Sequence, residues 1–177
     1  MCRHPDVQKR MQEEVDAVLG EAAILEDLVY TDQLVYLDAV VNETMRLKPV
    51  APVLGVEPNH DVRVGDIEIP KGAVIALLTR YQGLQDGGSA TAQVFDPDRW
   101  LSGADAAARH RAGFVPFGSG PRLCPGRSLA LLEIRCALAM ICRNFDLSES
   151  EGVGEVEEVF AFSMTPGNLR VNFSARH

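Results

Sequence analysis

The ten residues Phe117-Gly118-Ser119-Gly120-Pro121-Arg122-Leu123-Cys124-Pro125-Gly126 carry the strongest chemical signal in the chain. Glycines at 118, 120 and 126 permit tight turns and let a flat group lie close against the backbone. Pro121 and Pro125 stiffen the loop and disfavour helix ahead of Cys124. From Arg127 to Met140 the residues are strong helix formers. Cys124 is therefore expected just before a helix N-terminus, where unpaired N–H groups and the helix dipole favour negative charge. A thiolate held there is a ready metal ligand. Arg122 adds a permanent cation suited to a carboxylate on whatever the thiolate binds. Read blandly, Cys124 is a structural cysteine after a glycine loop.

Two further groups stand upstream. Glu43 and Arg46 are three residues apart, which puts them on one helix face. Alone, such a pair is an exposed ion pair of little worth. Phe95-Asp96-Pro97-Asp98-Arg99-Trp100 offers Arg99, although Asp96-Pro97 is equally an ordinary turn signal.

The elements that must position these groups follow from periodicity. Val7, Met11, Val15 and Val18/Leu19 recur at helical spacing over residues 5–19, with Gly20 as the C-cap. Residues 21–30 read as a connector. Thr31 or Asp32 is expected to cap a second helix with Leu34, Leu37, Val40, Val41 and Met45 on its apolar face, stopped by Pro49. Val62–Val64 and Ile67–Ile69 alternate around Gly65-Asp66, a hairpin. The apolar run Ala73–Leu78 suggests a buried strand. Gly87-Gly88-Ser89 suggests flexibility, and residues 101–112 a loop or short helix. Pro166-Gly167-Asn168 between Val159–Thr165 and Leu169–Phe173 signals a closing hairpin. The fold class is mainly α with small antiparallel β-sheets.

At these residues the chain resembles the cytochrome P450 family of haem-thiolate enzymes. Phe117, Gly120, Arg122, Cys124 and Gly126 fill every fixed place of its signature Phe-x-x-Gly-x-Arg-x-Cys-x-Gly. The resemblance extends to Glu43-x-x-Arg46, to the Phe95–Trp100 segment, and to His4-Pro5 followed by Gln12-Glu13-Glu14-Val15. It implies haem b (iron protoporphyrin IX), with Cys124 as the axial thiolate that favours O–O cleavage. It implies Phe117 near the sulfur, Arg122 on one haem propionate and Arg80 on the other, although Thr79 stands where histidine is common. Glu43, Arg46 and Arg99 become a buried structural network that holds the cysteine loop, stable only if every donor is matched. Val50, Val53 and Leu54, with Phe162, Ser163 and Met164, become substrate-pocket residues. Expected partners are an apolar small-molecule substrate, O2 and an electron-donating redox partner, a ferredoxin or a flavin reductase.

Composition bounds these readings. The chain has 177 residues, 46% hydrophobic and 24% charged, with a net charge of -8. An acidic balance spread along the chain argues against nucleic acid as a partner. Cys2, Cys124, Cys136 and Cys142 include no Cys-x-x-Cys pair, so zinc is not indicated. A thiol ligand points to a reducing, cytoplasmic setting. No apolar run is long enough to cross a bilayer. The resemblance covers residues 1–177 as one partial domain, the C-terminal (proximal) part of the P450 fold. The family's distal signature, Gly-x-Asp/Glu-Thr, does not occur, and Met1 is read as an internal methionine of a longer protein.

The leading expectation is a haem-thiolate monooxygenase present as its C-terminal, haem-ligating portion. The alternative is a non-catalytic haem-binding or remnant fragment. Two other rivals are a haem-thiolate isomerase or dehydratase acting on peroxides, and a cysteine-nucleophile enzyme with His110 as its base.

Overall fold

The computed structural model describes residues 1–20, 22, 24, 27–85, 91–101, 103, 114–152 and 154–176. Residues 87–89, most of the Ala-rich stretch at 101–112, and His110 lie outside the described residues.

Three helices build the core. Helix α1 (Pro5–Leu19) starts with proline in its first turn, where the missing N–H costs nothing, and ends at Gly20 with φ +60°. Its stripe of Val7, Met11, Val15 and Leu19 is buried. Helix α2 (Val35–Leu47) contributes Leu37, Val40 and Val41 to the same cluster. The long helix α4 (Arg127–Asn144) adds Ala139 and Cys142. Between α2 and α4 come the short helix α3 (Thr79–Gln85) and a 3-10 turn at Pro97–Trp100.

The N-terminus of α2 is not capped as the sequence suggested. Thr31 and Asp32 fall inside a 3-10 turn, Leu28–Gln33, whose own cap is Asp27. Instead the Glu14 carboxylate, carried by α1, accepts the backbone N–H groups of Tyr36 at 2.7 Å and Leu37 at 2.9 Å. A carboxylate from a neighbouring helix thus does the work of a local cap, and it also complements the helix dipole.

Among the described residues, four two-stranded antiparallel sheets flank the helices. Strand β1 (Leu54–Val56) pairs with β4 (Ile75–Leu77), and β2 (Val62–Val64) with β3 (Ile67–Ile69). The hairpin turn of the latter holds Gly65 at φ +60°, the conformation that the sequence reading required there. Strand β5 (Phe145–Glu149) pairs with β8 (Val171–Ala175), and β6 (Glu158–Phe160) with β7 (Met164–Pro166).

Two strand expectations need correction. The Ala73–Leu78 run yields a shorter strand, β4, and it is not buried: Val74 is 81% exposed. Its sheet has two strands, and their described side chains stand largely in the open. The closing hairpin turns at Ala161-Phe162-Ser163, not at Pro166-Gly167-Asn168. The latter run fastens β6 from the side. A Cβ on Gly167 would meet Val159 Cγ2 at 2.9 Å, so a larger residue there would have to displace the Val159 side chain. Asn168 accepts from the Glu157 N–H and donates to the Glu155 carbonyl.

Side chains close the chain on itself. Gln8 donates to the Leu147 carbonyl and accepts from the Leu147 N–H, docking β5 on α1. Asp16 on α1 accepts from Arg143 and Arg176. Burial alone would raise its pKa, but these two guanidiniums hold it below the ordinary carboxylate value. No described helix is long and apolar enough to cross a membrane.

Candidate functional site: a cysteine loop braced by a buried carboxylate

Glu43 faces inward from α2 with no solvent exposure. An isolated buried carboxylate is unfavourable, so its partners decide whether it is tolerated. Arg46, one turn along, meets it with both ends of its fork: Nε donates to Oε2 and Nη2 to Oε1, each at 2.8 Å. Arg99 Nε donates to Oε1 at 3.2 Å and the Asp96 N–H to the same oxygen at 3.0 Å. Trp100 Nε1 donates to Oε2 at 3.0 Å.

The arginines use their remaining donors on backbone. Arg46 Nη1 reaches the carbonyls of Gly83 and Ala92 at 2.6 and 2.5 Å, and Nη2 that of Val94. Arg99 Nη2 donates to the Thr91 carbonyl. The segment 91–100 is therefore tied to α2 by side chains, not by a sheet. Burial acting alone would push the Glu43 carboxyl up. The hydrogen bonds from Arg46, the Asp96 N–H and Trp100, with the Arg46 charge, outweigh it and hold the pKa below the ordinary value. Glu43 thus stays ionised.

The brace continues to the cysteine loop through aromatic rings. Trp100, anchored by its indole N–H, packs against Phe114 with ring centroids 4.7 Å apart. Phe114 opens the run that leads to Phe117. Within the loop, Gly118 and Gly120 take φ +74° and +64°, values that side chains resist. A short 3-10 turn, Gly120–Arg122, stands ahead of Cys124 where no helical turn was expected. Proline is compatible with that first turn because its N–H is not needed.

The Cys124 N–H donates to the Phe117 carbonyl at 2.9 Å, closing the loop across seven residues of sequence. Arg127 N–H reaches back to the Cys124 carbonyl at 3.3 Å, so α4 begins directly off the cysteine, with Gly126 as its N-cap. Cys124 is a free thiol and partly exposed. Arg122 is exposed, and among the described residues it has no recorded hydrogen bond or ion pair. A cleft of about 350 Å³ separates the loop from α2, with Asn42, Met45, Trp100 and Phe117 in its wall.

Cys142 serves a different purpose. It is buried in the core, and burial pushes its thiol up to about 11. It stays neutral, as a small core residue should.

The remaining sequence candidates separate into two groups. Val50 and Met164 come together: the Met164 N–H donates to the Val50 carbonyl at 2.7 Å. Ser163 sits beside them in the turn of β6–β7, whereas Phe162 is 100% exposed at its tip. Val53 is exposed and Leu54 runs into β1. Arg80 is committed to Glu158, with Nη1 to Oε2 at 2.5 Å and Nη2 to Oε1 at 3.0 Å, and its recorded contacts do not reach the Cys124 loop.

Sequence reasoning passed over the roles of two residues. Trp100 was read only as the aromatic end of a motif, yet it is the hinge between network and loop. Gly83 carried no signal, although a Cβ there would lie 2.6 Å from the Arg46 carbonyl oxygen. The expectation that every threonine lacks a preceding acid fails at Thr44, which Glu43 directly precedes, although Val41 stands where the distal signature has glycine. Here Glu43 is locked in the network and the Thr44 hydroxyl donates to its own helix, at the Val40 carbonyl.

The geometry thus presents a free cysteine on a glycine loop, downstream of a buried Glu–Arg–Arg network. The chain belongs to the cytochrome P450 family: that family's model matches residues 1–173. Cytochrome P450 27C1 of Danio rerio is 36% identical over 99% of this chain and 32% of its own length. Putative cytochrome P450 cyp-13B1 of Caenorhabditis elegans is 40% identical over 83% of this chain and 28% of its own. The mitochondrial 25-hydroxyvitamin D-1 alpha hydroxylase of Homo sapiens is 36% identical over 88% and 30%. The chain thus spans about a third of the length of these curated relatives.

Proposed function

We propose that this chain is the C-terminal, haem-ligating portion of a cytochrome P450 monooxygenase. The observation that carries the proposal is Cys124: a free, partly exposed thiol, held by its own N–H on Phe117 and backed by the Glu43 network. The residues fit an iron protoporphyrin. A thiol without a disulfide partner can ligate, the two positive-φ glycines keep side chains off the loop surface, and Arg122 is an exposed cation for a propionate. In this reading Cys124 would hold the iron and Arg122 a propionate. Arg80 is a poor second propionate partner while Glu158 holds it. When bound, haem supplies the activation of dioxygen, favoured by an electron-rich thiolate.

The chain's own residues act by placement. Glu43, through Trp100 and Phe114, anchors the stretch of chain that leads into the loop. Phe117 fixes the backbone of Cys124. The overall reaction puts one oxygen atom of O2 into a C–H bond of an apolar substrate. The other leaves as water, with two electrons from a redox partner (a ferredoxin or flavin reductase) and two protons from solvent. The reading keeps a reducing, cytoplasmic setting for the thiol.

The test is the absorption spectrum of the dithionite-reduced carbon monoxide adduct, with haem supplied to the chain. The expected result is a red-shifted thiolate-type band that disappears in Cys124→Ala. A band that persists unchanged in Cys124→Ala would overturn the assignment.

One observation favours a second reading, a haem-binding portion with no turnover of its own. Along α4, apolar residues go all round the helix, yet of these only Ala139 and Cys142 are buried. Such a helix belongs inside a larger body. Substrate turnover by this chain with a reductase alone would exclude that reading.

A further inference from the structure

The segment Val50-Ala51-Pro52, just past α2, is held at three successive carbonyls from two directions. Val50 accepts the Met164 N–H at 2.7 Å, Ala51 accepts the Thr79 hydroxyl at 2.7 Å, and Pro52 accepts the Arg80 N–H at 3.4 Å. The last two come from α3. The first comes from the β6–β7 hairpin, which reaches the segment by one backbone hydrogen bond. A two-residue contact does not by itself fix the angle of a hairpin whose tip, Phe162, is fully exposed.

The missing constraint is electrostatic. Glu158 begins β6, and its carboxylate lies between two cations from the elements that frame the segment. Arg80 of α3 holds it with both terminal nitrogens, at 2.5 and 3.0 Å, and Lys48 at the end of α2 closes on the Oε1 side. Arg80 Nη1 also touches the Met164 sulfur at 3.8 Å, and its Nε is buried with no hydrogen-bond partner among the described residues. Arg80 has therefore given up part of its solvation to face Glu158, a cost that the pair offsets while it persists. The fork geometry specifies direction as well as distance.

We propose that Glu158 is a positioning residue: its clamp on Arg80 and Lys48 sets the angle of the β6–β7 hairpin, and thereby where Phe162 stands relative to the Val50 segment. The inference rests on the proposed function for what the hairpin tip would contact, but the clamp itself can be tested without it. Glu158 touches no substrate in this role.

The first measurement is hydrogen exchange on the whole chain. In Glu158→Gln, and independently in Arg80→Gln, exchange over residues 159–165 should rise about tenfold, the scale of one charge-assisted hydrogen-bonded pair. Exchange in α2 should not change. Molar salt should loosen the same stretch in the unmodified chain and add little in Glu158→Gln, because the pair is a third exposed and open to screening. The second measurement is a spectral titration of the haem-loaded chain with 4-phenylimidazole and with imidazole. Glu158→Gln should change the affinity for the larger probe about threefold and leave the smaller one unchanged, since a ratio of this size needs well under one hydrogen bond.

Unchanged exchange over 159–165 would overturn the clamp. A rise across the whole chain would make Glu158 a general stabiliser and overturn the positioning role. Equal effects on both imidazoles would overturn the link to the hairpin tip. An unmodified chain that takes up no haem would count against the proposed function, while the exchange comparison would still decide the clamp.

Discussion

The Glu43 network and α4 are both parts of the same support, yet they meet solvent in opposite ways. Around Glu43, a carboxylate and two guanidiniums are buried, and the described donors are matched to acceptors. Along α4, apolar residues outnumber polar ones, yet most are only half-buried and Leu129 is 60% exposed. Polarity and burial are thus inverted between the two regions. The network shows that charge can be a finished interior when geometry satisfies it. The helix shows that apolar composition alone does not make an interior, because a second surface must supply the contact.

The largest effect should come from unfinishing the network. Glu43→Ala leaves Arg46 and Arg99 buried without their shared anion, which is expected to cost about 3–5 kcal/mol of stability. Urea unfolding followed by far-UV circular dichroism would measure it. A loss below about 1 kcal/mol would mean that the network is wet and loosely held, as for a surface pair. The same group predicts a pH dependence. Glu43 has a folded-state pKa below its unfolded value. Its contribution is therefore present in full above the unfolded carboxylate value and is lost as pH falls through the folded one. Stability should decline on acidification below about pH 5, and Glu43→Gln should flatten that decline. Asp16, also lowered, contributes in the same direction, so the flattening should be partial.

The two regions also differ in how plainly the sequence displays them. Glu43, Arg46 and Arg99 were legible because each sits in a short pattern with fixed spacing, and helical period placed the first two on one face. Their burial was legible only through resemblance, since the spacing of an exposed pair is identical. Trp100 as a link and Gly83 as a close approach were not legible, because both depend on contacts across dozens of residues. The α2 cap failed for a similar reason. Local rules choose Thr31 or Asp32, but Glu14 reaches the same N–H groups from another helix. The closing hairpin was misplaced because Pro-Gly-Asn is a turn signal wherever the chain bends, including a bend that fastens a strand from outside. The apolar run at Ala73–Leu78 reads as buried in any sequence, and nothing local reveals that its sheet stops at two strands.

A smaller perturbation tests whether the network's packing is as complete as its hydrogen bonding. Gly83→Ala puts a Cβ 2.6 Å from the Arg46 carbonyl, closer than atoms can approach, and 3.2 Å from the Arg46 Cγ. Either α3 shifts away or Arg46 gives up its bond to the Gly83 carbonyl. The expected cost is about 1–3 kcal/mol, the usual range for overpacking. Combined with Glu43→Ala, the two losses should add to less than their sum, because both act through Arg46. Strict additivity in denaturant unfolding would show that the close approach at Gly83 is independent of the network.

The smallest effect is expected on α4, and it carries the comparison furthest. Leu129 stands one turn beyond Cys124 with more than half of its surface open. If its face is uncovered in this chain, Leu129→Lys removes little buried area and should change stability by no more than about 0.5 kcal/mol. It should also reduce self-association, since it breaks an exposed apolar patch. In a longer protein whose further residues cover that face, the same substitution should cost about 1.5–3 kcal/mol, the value of burying one leucine side chain. The difference between the two measurements reads the missing contact directly. A loss of more than about 1 kcal/mol in this chain alone, beyond the range for an open surface site, would show that α4 already has a cover here, and the contrast with the Glu43 network would collapse.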